Sequence, residues 1–192
     1  MDIFSAFGLS ASAGLNAYIP LLVVALLGKF TNLITLNSPW DTLESWWVIG
    51  VLVVLSVVEF FADKVPAINH INDIIQTAIR PVAGAIVFAA SARIITDVHP
   101  VLAMVMGLLV AGAVHAVKSL VVRPAVTATT AGVGNVPVSL AEDVLSTIIS
   151  IIAAITPVVI AVILVLGGAL LVLWIWRKVN QKRAKYKNPE IR

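Results

Sequence analysis

The sequence predicts an all-α protein, a polytopic bundle of about six transmembrane helices. Sixty per cent of the 192 residues are hydrophobic and only 12% are charged, and the mean hydropathy is +1.03. Soluble domains are close to half apolar and a quarter charged, so this composition excludes an ordinary soluble domain. Two stretches carry no charged residue: Ile3 to Gly28, 26 residues, and Val144 to Trp176, 33 residues. A membrane-spanning helix needs only about 20 apolar residues.

Six apolar segments predict the membrane helices. They are residues 5–28, 44–62, 80–95, 99–118, 139–155 and 157–176. The first has no basic residue before it, which favours an uncleaved helix over a signal peptide. Asp41 and Glu44 predict a capped start for the second. The third is the weakest, because only 12 uncharged residues separate Arg80 from Arg93.

The basic residues are shared unevenly between the loops, which predicts the orientation. With six spans, 11 of the 13 Lys and Arg residues fall on one side, and only Lys29 and Arg93 fall on the other. Because cytoplasmic loops carry an excess of Lys and Arg, both termini are predicted to lie in the cytoplasm. Residues 1–176 then form one transmembrane domain. Residues 177–192 form a basic tail against anionic headgroups of the lipid bilayer, and no nucleic-acid partner is expected.

Two cytoplasmic connections differ from ordinary loops. Residues 65–79 alternate apolar and polar residues at helical spacing, which predicts an amphipathic helix that lies at the interface or folds back into the bundle. Residues 119–138 are rich in Thr and Gly, and both a re-entrant loop and a packed surface loop remain open. Ser139 and Glu142 form a capping-box pattern that predicts the start of the fifth helix near residue 140. That helix would be about 24 Å long against a bilayer core of about 30 Å, as in the broken helices of transporters.

Several motifs together resemble one protein family. They are Ala13-Gly-Leu-Asn-Ala-Tyr-Ile-Pro20, Glu59-Phe-Phe-Ala-Asp-Lys-Val-Pro66 with His70 and Asp73, Arg80-Pro-Val-Ala-Gly-Ala85, His115-Ala-Val-Lys118, Thr127-Ala-Thr-Thr130 with Gly132, Gly134 and Asn135, and Ser139-Leu-Ala-Glu-Asp143. To about Pro157 the chain resembles the bacterial membrane family called domain of unknown function 4126. Asn16 departs from the pattern, since many relatives carry arginine there. The resemblance implies a membrane fold and a location in the bacterial inner membrane, but no activity.

The polar residues predicted to form a site lie at the cytoplasmic ends of the helices. Glu59 and Asp63 are four residues apart and share a helix face, and His115 and Lys118 are three apart. Ionisable groups inside membrane segments are functional candidates by default. The predicted substrate- or ion-binding residues are Glu59, Asp63, Arg80, His115, Lys118, Asn135, Glu142 and Asp143.

Each charged candidate also has a structural interpretation. Glu142 would be the capping partner of Ser139. Asp63 would form an ion pair with Lys64 or Arg80 at headgroup level. The chain has no cysteine, and it carries no recognisable hydrolase, zinc-protease or phosphate-loop motif. The sequence therefore predicts no metal site, no cofactor and no enzymatic activity.

Three functions remain open from the sequence. The leading one is a small transporter or channel-like protein for an ion or small polar solute. The second is a lipid-handling or membrane-organising protein, in which Arg80, Lys118 and Arg123 would grip anionic headgroups. The third is a non-catalytic partner subunit that packs through small residues on its helices. A homo-oligomer is compatible with all three.

Overall fold

The computed structural model describes the backbone of residues 3–92 and 99–187, and their side chains except those of 66–70, 92 and 182–187. Within these residues the chain is helical and contains no β-strand, which confirms the predicted all-α class. A 3-10 turn, Trp40–Glu44, precedes the third helix, and a π-helical turn, Lys118–Val122, follows the fifth. The helices are α1 (Ile3–Leu15), α2 (Tyr18–Phe30), α3 (Trp46–Ala62), α4 (Pro66–Ala92), α5 (Pro100–Val117), α6 (Arg123–Thr130), α7 (Asn135–Ile155) and α8 (Pro157–Lys187).

Four helical stretches in the described residues are long and apolar enough to cross a membrane. They are Ile71–Ser91, Pro100–Thr130, Asn135–Ile155 and Pro157–Gln181. Helices α1, α2 and α3 are apolar but shorter. The predicted count of six spans is therefore not confirmed. The expected boundary between membrane domain and tail after residue 176 falls inside α8, which continues to Lys187, and residues 188–192 lie outside the described part.

The first predicted span, 5–28, is not one helix but is divided at Asn16 into α1 and α2. The Asn16 Oδ1 atom accepts hydrogen bonds from the backbone N–H groups of Tyr18 and Ile19, each at 3.1 Å. This side chain thus satisfies the first donors of α2 in place of a continuing helix. Hydropathy conceals the break, because a single Asn lies within a long uncharged run.

Helices α1 and α2 form a hairpin. Lys29 Nζ donates to the Glu44 carbonyl at 2.8 Å, so the 3-10 turn lies against the end of α2. Trp40 in that turn packs against a buried cluster that includes Ala6 and Phe88, close to the beginning of α1. The end of α2 and the beginning of α1 are therefore at the same end of the bundle. The tip of the hairpin is buried at the other end of α1.

Helix α3 begins slightly later than predicted. Ser45 is its N-cap, with the Ser45 Oγ accepting from the Val48 N–H at 3.3 Å. Asp41 and Glu44, which predicted a capping box, instead belong to the preceding 3-10 turn. The cap of α3 is formed instead by the Ser45 side chain and the backbone N–H group three residues further on.

The predicted amphipathic helix at 65–79 and the predicted span at 80–95 are one continuous helix, α4, with Pro81 inside it. The helix continues between the two halves because Ile79 and Arg80 are compatible with helical geometry. Pro81 lacks only its own backbone N–H donor. Arg80 is fully buried within this helix, at 0% exposure. Residues 93–95 of the predicted span lie outside the described residues.

Most of the Thr- and Gly-rich segment at 119–138 is helical, so a re-entrant loop is not confirmed. The hydroxyl groups of Thr129 and Thr130 donate to the carbonyls of Ala125 and Val126, at 2.9 and 2.7 Å. Such bonds to the preceding turn let threonine stay in a helix. Only residues 131–134 separate α6 from α7.

Helix α7 begins five residues earlier than the expected start near residue 140. The chain turns at Ala131 and Gly132, which have positive φ values of 51° and 88°, a common way to end a helix. Ser139 and Glu142 consequently lie inside α7 rather than at its cap. With 21 residues, α7 is about 31 Å long, so the expectation of a short, broken fifth helix was wrong.

Two glycines bring α1, α4 and α5 into close contact. Gly84 of α4 faces Gly107 of α5, and Ser10 Oγ of α1 donates to the Gly107 carbonyl at 2.8 Å. A Cβ atom on Gly107 would overlap the Gly84 carbonyl oxygen and lie 2.5 Å from the Phe88 Cβ. The absence of side chains at these two positions therefore sets the spacing of the three helices.

The variant Gly107→Ala is expected to lower the thermal unfolding midpoint in detergent, because overpacking a close helix contact costs about 1–3 kcal/mol. Gly50→Ala on α3 is the matched control, since a Cβ there meets nothing within 4 Å. The control should be neutral or slightly stabilising through its better helix propensity. Equal midpoints for the two variants would contradict the close contact of α4 and α5.

Candidate functional site

Charged residues from several elements meet at the end of the bundle that contains the tip of the α1–α2 hairpin, which we name the charged end. Each of them forms at least one ion pair with another of the group. We refer to these nine described residues as the charge network: the acids Glu59, Asp63, Asp73, Glu142 and Asp143 and the bases Lys64, Arg80, Lys118 and Arg123.

Arg80 forms the innermost part of the charge network. Its Nη2 atom lies 2.8 Å from Glu59 Oε1 and 3.7 Å from Asp63 Oδ2. Its Nη1 atom lies 3.2 Å from His115 Nδ1, and His115 Nε2 lies 3.2 Å from Thr77 Oγ1. Because an arginine only donates, His115 Nδ1 accepts and Nε2 carries the proton, which is the neutral form of the ring.

Asp63 is the residue shared by most of the cations. Its Oδ2 atom lies 3.1 Å from Arg123 Nη2 and 3.8 Å from Lys118 Nζ, and Asn72 Nδ2 donates to its Oδ1 at 2.7 Å. Burial alone would raise the pKa of Asp63, but Lys118, Arg123 and Arg80, together with the bond from Asn72, outweigh burial and hold its pKa below the ordinary value. Asp63 is thus ionised at neutral pH.

Glu142 and Lys118 connect the charge network to α1. Glu142 Oε2 lies 2.8 Å from Lys118 Nζ and 3.2 Å from Arg123 Nη2. Lys118 Nζ also donates to the Leu15 carbonyl at 3.0 Å. This carbonyl is one of the unpaired acceptors at the C-terminal end of α1, where a cation is favourable. Glu142 is therefore an ion-pair partner rather than a capping residue.

Asp143 connects the hairpin tip to α7. Asn16 Nδ2 donates to Asp143 Oδ1 at 3.0 Å, and Lys64 Nζ donates to Asp143 Oδ2 at 3.1 Å. Asn16 therefore has two functions: its oxygen caps α2 and its amide nitrogen binds Asp143. The hairpin tip is held by α5 on one side and α7 on the other.

An open cleft of about 830 Å³ leads to the charge network from the charged end. Asp63, Lys64, Asp73 and Arg123 line it together with segment 127–136. Asp73 is the most exposed acid of the network, with 19% of its side chain accessible. Water and small solutes can thus reach this side of the network.

Seven of the eight predicted site residues lie in or against the charge network. Asn135 is the exception: its Nδ2 atom donates to Thr127 Oγ1 at 2.9 Å, and the residue lines the cleft. Its role, like that of the other seven, stays a prediction.

Sequence reasoning did not include Asn16, Lys64, Asp73 or Arg123 in the site. The sequence places Arg123 in a loop and Asp73 on an amphipathic helix, for which the interface and a position folded back into the bundle are both open. The isolated charge of Arg123 in an otherwise uncharged run was the available signal.

Long apolar helices that surround buried ion pairs are the features of a helical membrane protein. The chain belongs to the family described as Domain of unknown function (DUF4126), whose model matches residues 3–178, nearly the whole chain. The resemblance seen in the sequence motifs is thereby confirmed. No curated protein and no solved structure matches the chain.

Replacing Arg123 by Met is expected to lower the free energy of unfolding by about 3–5 kcal/mol, because Asp63 and Glu142 lose a buried partner. Lys178→Met is the control, since Lys178 lies on the exposed face of α8 and should matter little. Thermal unfolding in detergent measures both. A midpoint for Arg123→Met equal to that of the control would contradict the buried ion pairs.

Stability is expected to depend on pH through Asp63. Since its pKa is lower in the folded than in the unfolded protein, its ion pairs stabilise fully above the unfolded value of about 3.9 and are lost as pH falls through the folded value. The contribution of Asp63, measured as the difference in unfolding midpoint between the wild type and Asp63→Asn, should therefore be constant from about pH 7 to 5 and decrease below about pH 4. Asp63→Asn should have a lower midpoint at neutral pH and a shallower fall in acid. Parallel curves for the two proteins would contradict this role of Asp63.

Proposed function

We propose that the protein is a small transporter or channel-like membrane protein that moves an ion or a small polar solute. The observation that carries the proposal is the charge network, whose inner members Glu59, Asp63, Arg80 and Lys118 are at most 3% exposed. Charged side chains among membrane helices are costly, and they occur chiefly where a polar species binds or passes. The cleft beside Asp63 and Arg123 supplies the access that such a species needs.

The hairpin tip supports the same function. A helix C-terminus at Leu15 and a helix N-terminus at Tyr18 both lie in the interior, next to Lys118 and Asp143. Interrupted helices whose ends lie inside the bundle are typical of ion and solute sites in transporters. The sequence predicts an interrupted helix at the fifth span, whereas the interruption lies between α1 and α2.

The orientation is part of the proposal. We place the charged end toward the cytoplasm of a bacterial inner membrane, because Lys64, Lys118 and Arg123 lie there. Ile3 lies at the end of the bundle opposite the charged end. The proposal therefore leaves out the predicted cytoplasmic position of the N terminus. The basic residues from Arg177 onward are proposed to contact anionic headgroups, and a homo-oligomer stays a prediction.

Lipid handling and a purely structural subunit receive less support. Arg80 and Lys118, which a headgroup would have to reach, are buried and already paired with carboxylates. A subunit without its own site would not need an open cleft that ends at ion pairs. No enzymatic activity is proposed, because nothing in the charge network resembles a nucleophile with its base.

Flux into liposomes tests the proposed function. Purified protein is reconstituted, and uptake of K⁺, Na⁺, H⁺, Cl⁻ and small uncharged polar solutes is compared with that of empty liposomes. The double variant Glu59→Gln, Asp143→Asn should lower the flux by about tenfold or more, equivalent to about 1.4 kcal/mol of lost interaction. Gly50→Ala is the matched control and should transport like the wild type. Flux that persists unchanged in the double variant, or no flux of any probe, would contradict the proposal.

A further inference from the structure

We propose that Glu59 is a proton-binding site and that the proton is the ion which the charge network exchanges, a step that rests on the proposed transport function. The carboxyl group lies at the end of α3, against α4, and its residue is 1% exposed. Four observations on the described residues support this assignment: the charge of the network, the partners of each acid, the surroundings of Glu59 and the position of Asp63.

The charge network contains one more acid than bases. Its five carboxylates face four cations, and the neutral ring of His115 adds no charge. A fully ionised network would therefore bury one unbalanced negative charge among the described side chains. Because isolated buried charges are strongly disfavoured, such a group normally takes up a proton instead. One bound proton makes the nine residues neutral.

The partners of each acid show which one carries the proton. Asp63 and Glu142 each pair with at least two cations, and Asp143 has Lys64 and an amide. Asp73 borders the open cleft, where water screens its charge. Glu59 alone combines full burial with a single cation, which contacts only Oε1. Its Oε2 is buried and has no hydrogen-bond partner among the described residues.

Glu59 Oε2 receives no hydrogen bond from the described groups around it. The groups that face Glu59 are Arg80 from α4, Tyr18 from α2, Lys118 in the turn after α5 and Asp63 at the end of its own helix.

A proton on Glu59 removes the negative charge from a carboxyl group whose Oε2 is buried and receives no hydrogen bond, which lowers the cost of burying it. A metal cation would need about six oxygen ligands, and the described side chains contain no group of three acids or histidines arranged to hold one.

Asp63 links this proton to the cleft. Arg80 is shared by Glu59 and Asp63, and Asp63 lines the cleft. When the O–H bond of Glu59 breaks, the proton passes to water entering from the cleft, and the carboxylate left behind draws more strongly on Arg80. The interaction between Arg80 and Asp63 then weakens, so the charge that Asp63 presents to the cleft changes with each proton released.

Infrared difference spectroscopy tests the bound proton directly. At neutral pH the wild type should show the carbonyl band of a protonated carboxylic acid, and the band should shift in D₂O. It should be absent from Glu59→Gln and retained in Asp73→Asn, the matched control. A band absent from the wild type, or one that persists in Glu59→Gln, would overturn the proposal.

Thermal stability gives an independent test, which distinguishes a protonated Glu59 from an ionised Glu59 that pairs with Arg80. Gln has the shape of a protonated Glu, so Glu59→Gln should melt within about 3 °C of the wild type. Glu142→Gln removes an ionised partner of two cations and should melt about 10 °C lower. A comparable fall, or failure to fold, of Glu59→Gln would show that Glu59 is an ionised structural partner of Arg80.

The outcomes separate this inference from the proposed function. A carboxylic band that depends on Glu59, combined with no flux of H⁺ or any solute, would leave the proton site standing and overturn transport. Solute flux without the band would leave transport standing and overturn the proton site. With both, proton uptake driven by a K⁺ diffusion potential in valinomycin-treated liposomes should be lost in Glu59→Gln.

Discussion

The ionisation of Asp63 in a buried position is the constraint on which the rest of the structure depends. A carboxylate removed from water must be surrounded by cations. Lys118 from the turn after α5, Arg123 from the start of α6 and Arg80 from α4 all reach it. Lys118 and Arg123 share a second acid, Glu142, and Arg80 donates to the carboxyl group of Glu59. The attraction between such groups compensates their desolvation only when geometry is good and nearly every partner is present. The helix ends are therefore positioned by electrostatics, while apolar contacts and glycines set the spacing of the helices.

This constraint also explains why the first apolar stretch is a hairpin. A continuous helix across Asn16 would leave Lys118 without the Leu15 carbonyl and Asp143 without an amide donor. Breaking the helix exposes backbone groups that membrane interiors do not tolerate unless they are paired. At the tip, Asn16 pairs the donors of α2, and Lys118 pairs an acceptor of α1. The hairpin and the charge network consequently stabilise each other, and neither is expected to persist without the other.

Sequence patterns predicted the parts of the fold that depend on local information. Hydropathy placed α5 and the beginning of α8 to within about two residues, and three- and four-residue spacing indicated which charged pairs share a face. The break at Asn16 was not predicted, since one Asn hardly changes the hydropathy of a long uncharged run and its bond to Asp143 joins residues 127 positions apart. The helical state of residues 123–130 was hidden because threonine and glycine are typical of loops. Arg123 lies in this segment. Its ion pairs could not be predicted either, because its three acidic partners lie 19 to 60 residues away in sequence.

A double-mutant cycle between Lys118 and Glu142 tests most directly whether the charge network exists as described. Lys118→Met, Glu142→Leu and the double variant are compared with the wild type by unfolding in detergent. Each single variant leaves a buried charge without its nearest partner, whereas the double variant removes both charges. Buried pairing predicts that the double variant loses markedly less free energy of unfolding than the two single variants together. The expected coupling energy is about 1–3 kcal/mol. Losses that add to within about 0.5 kcal/mol would contradict it, because residues that do not interact behave independently.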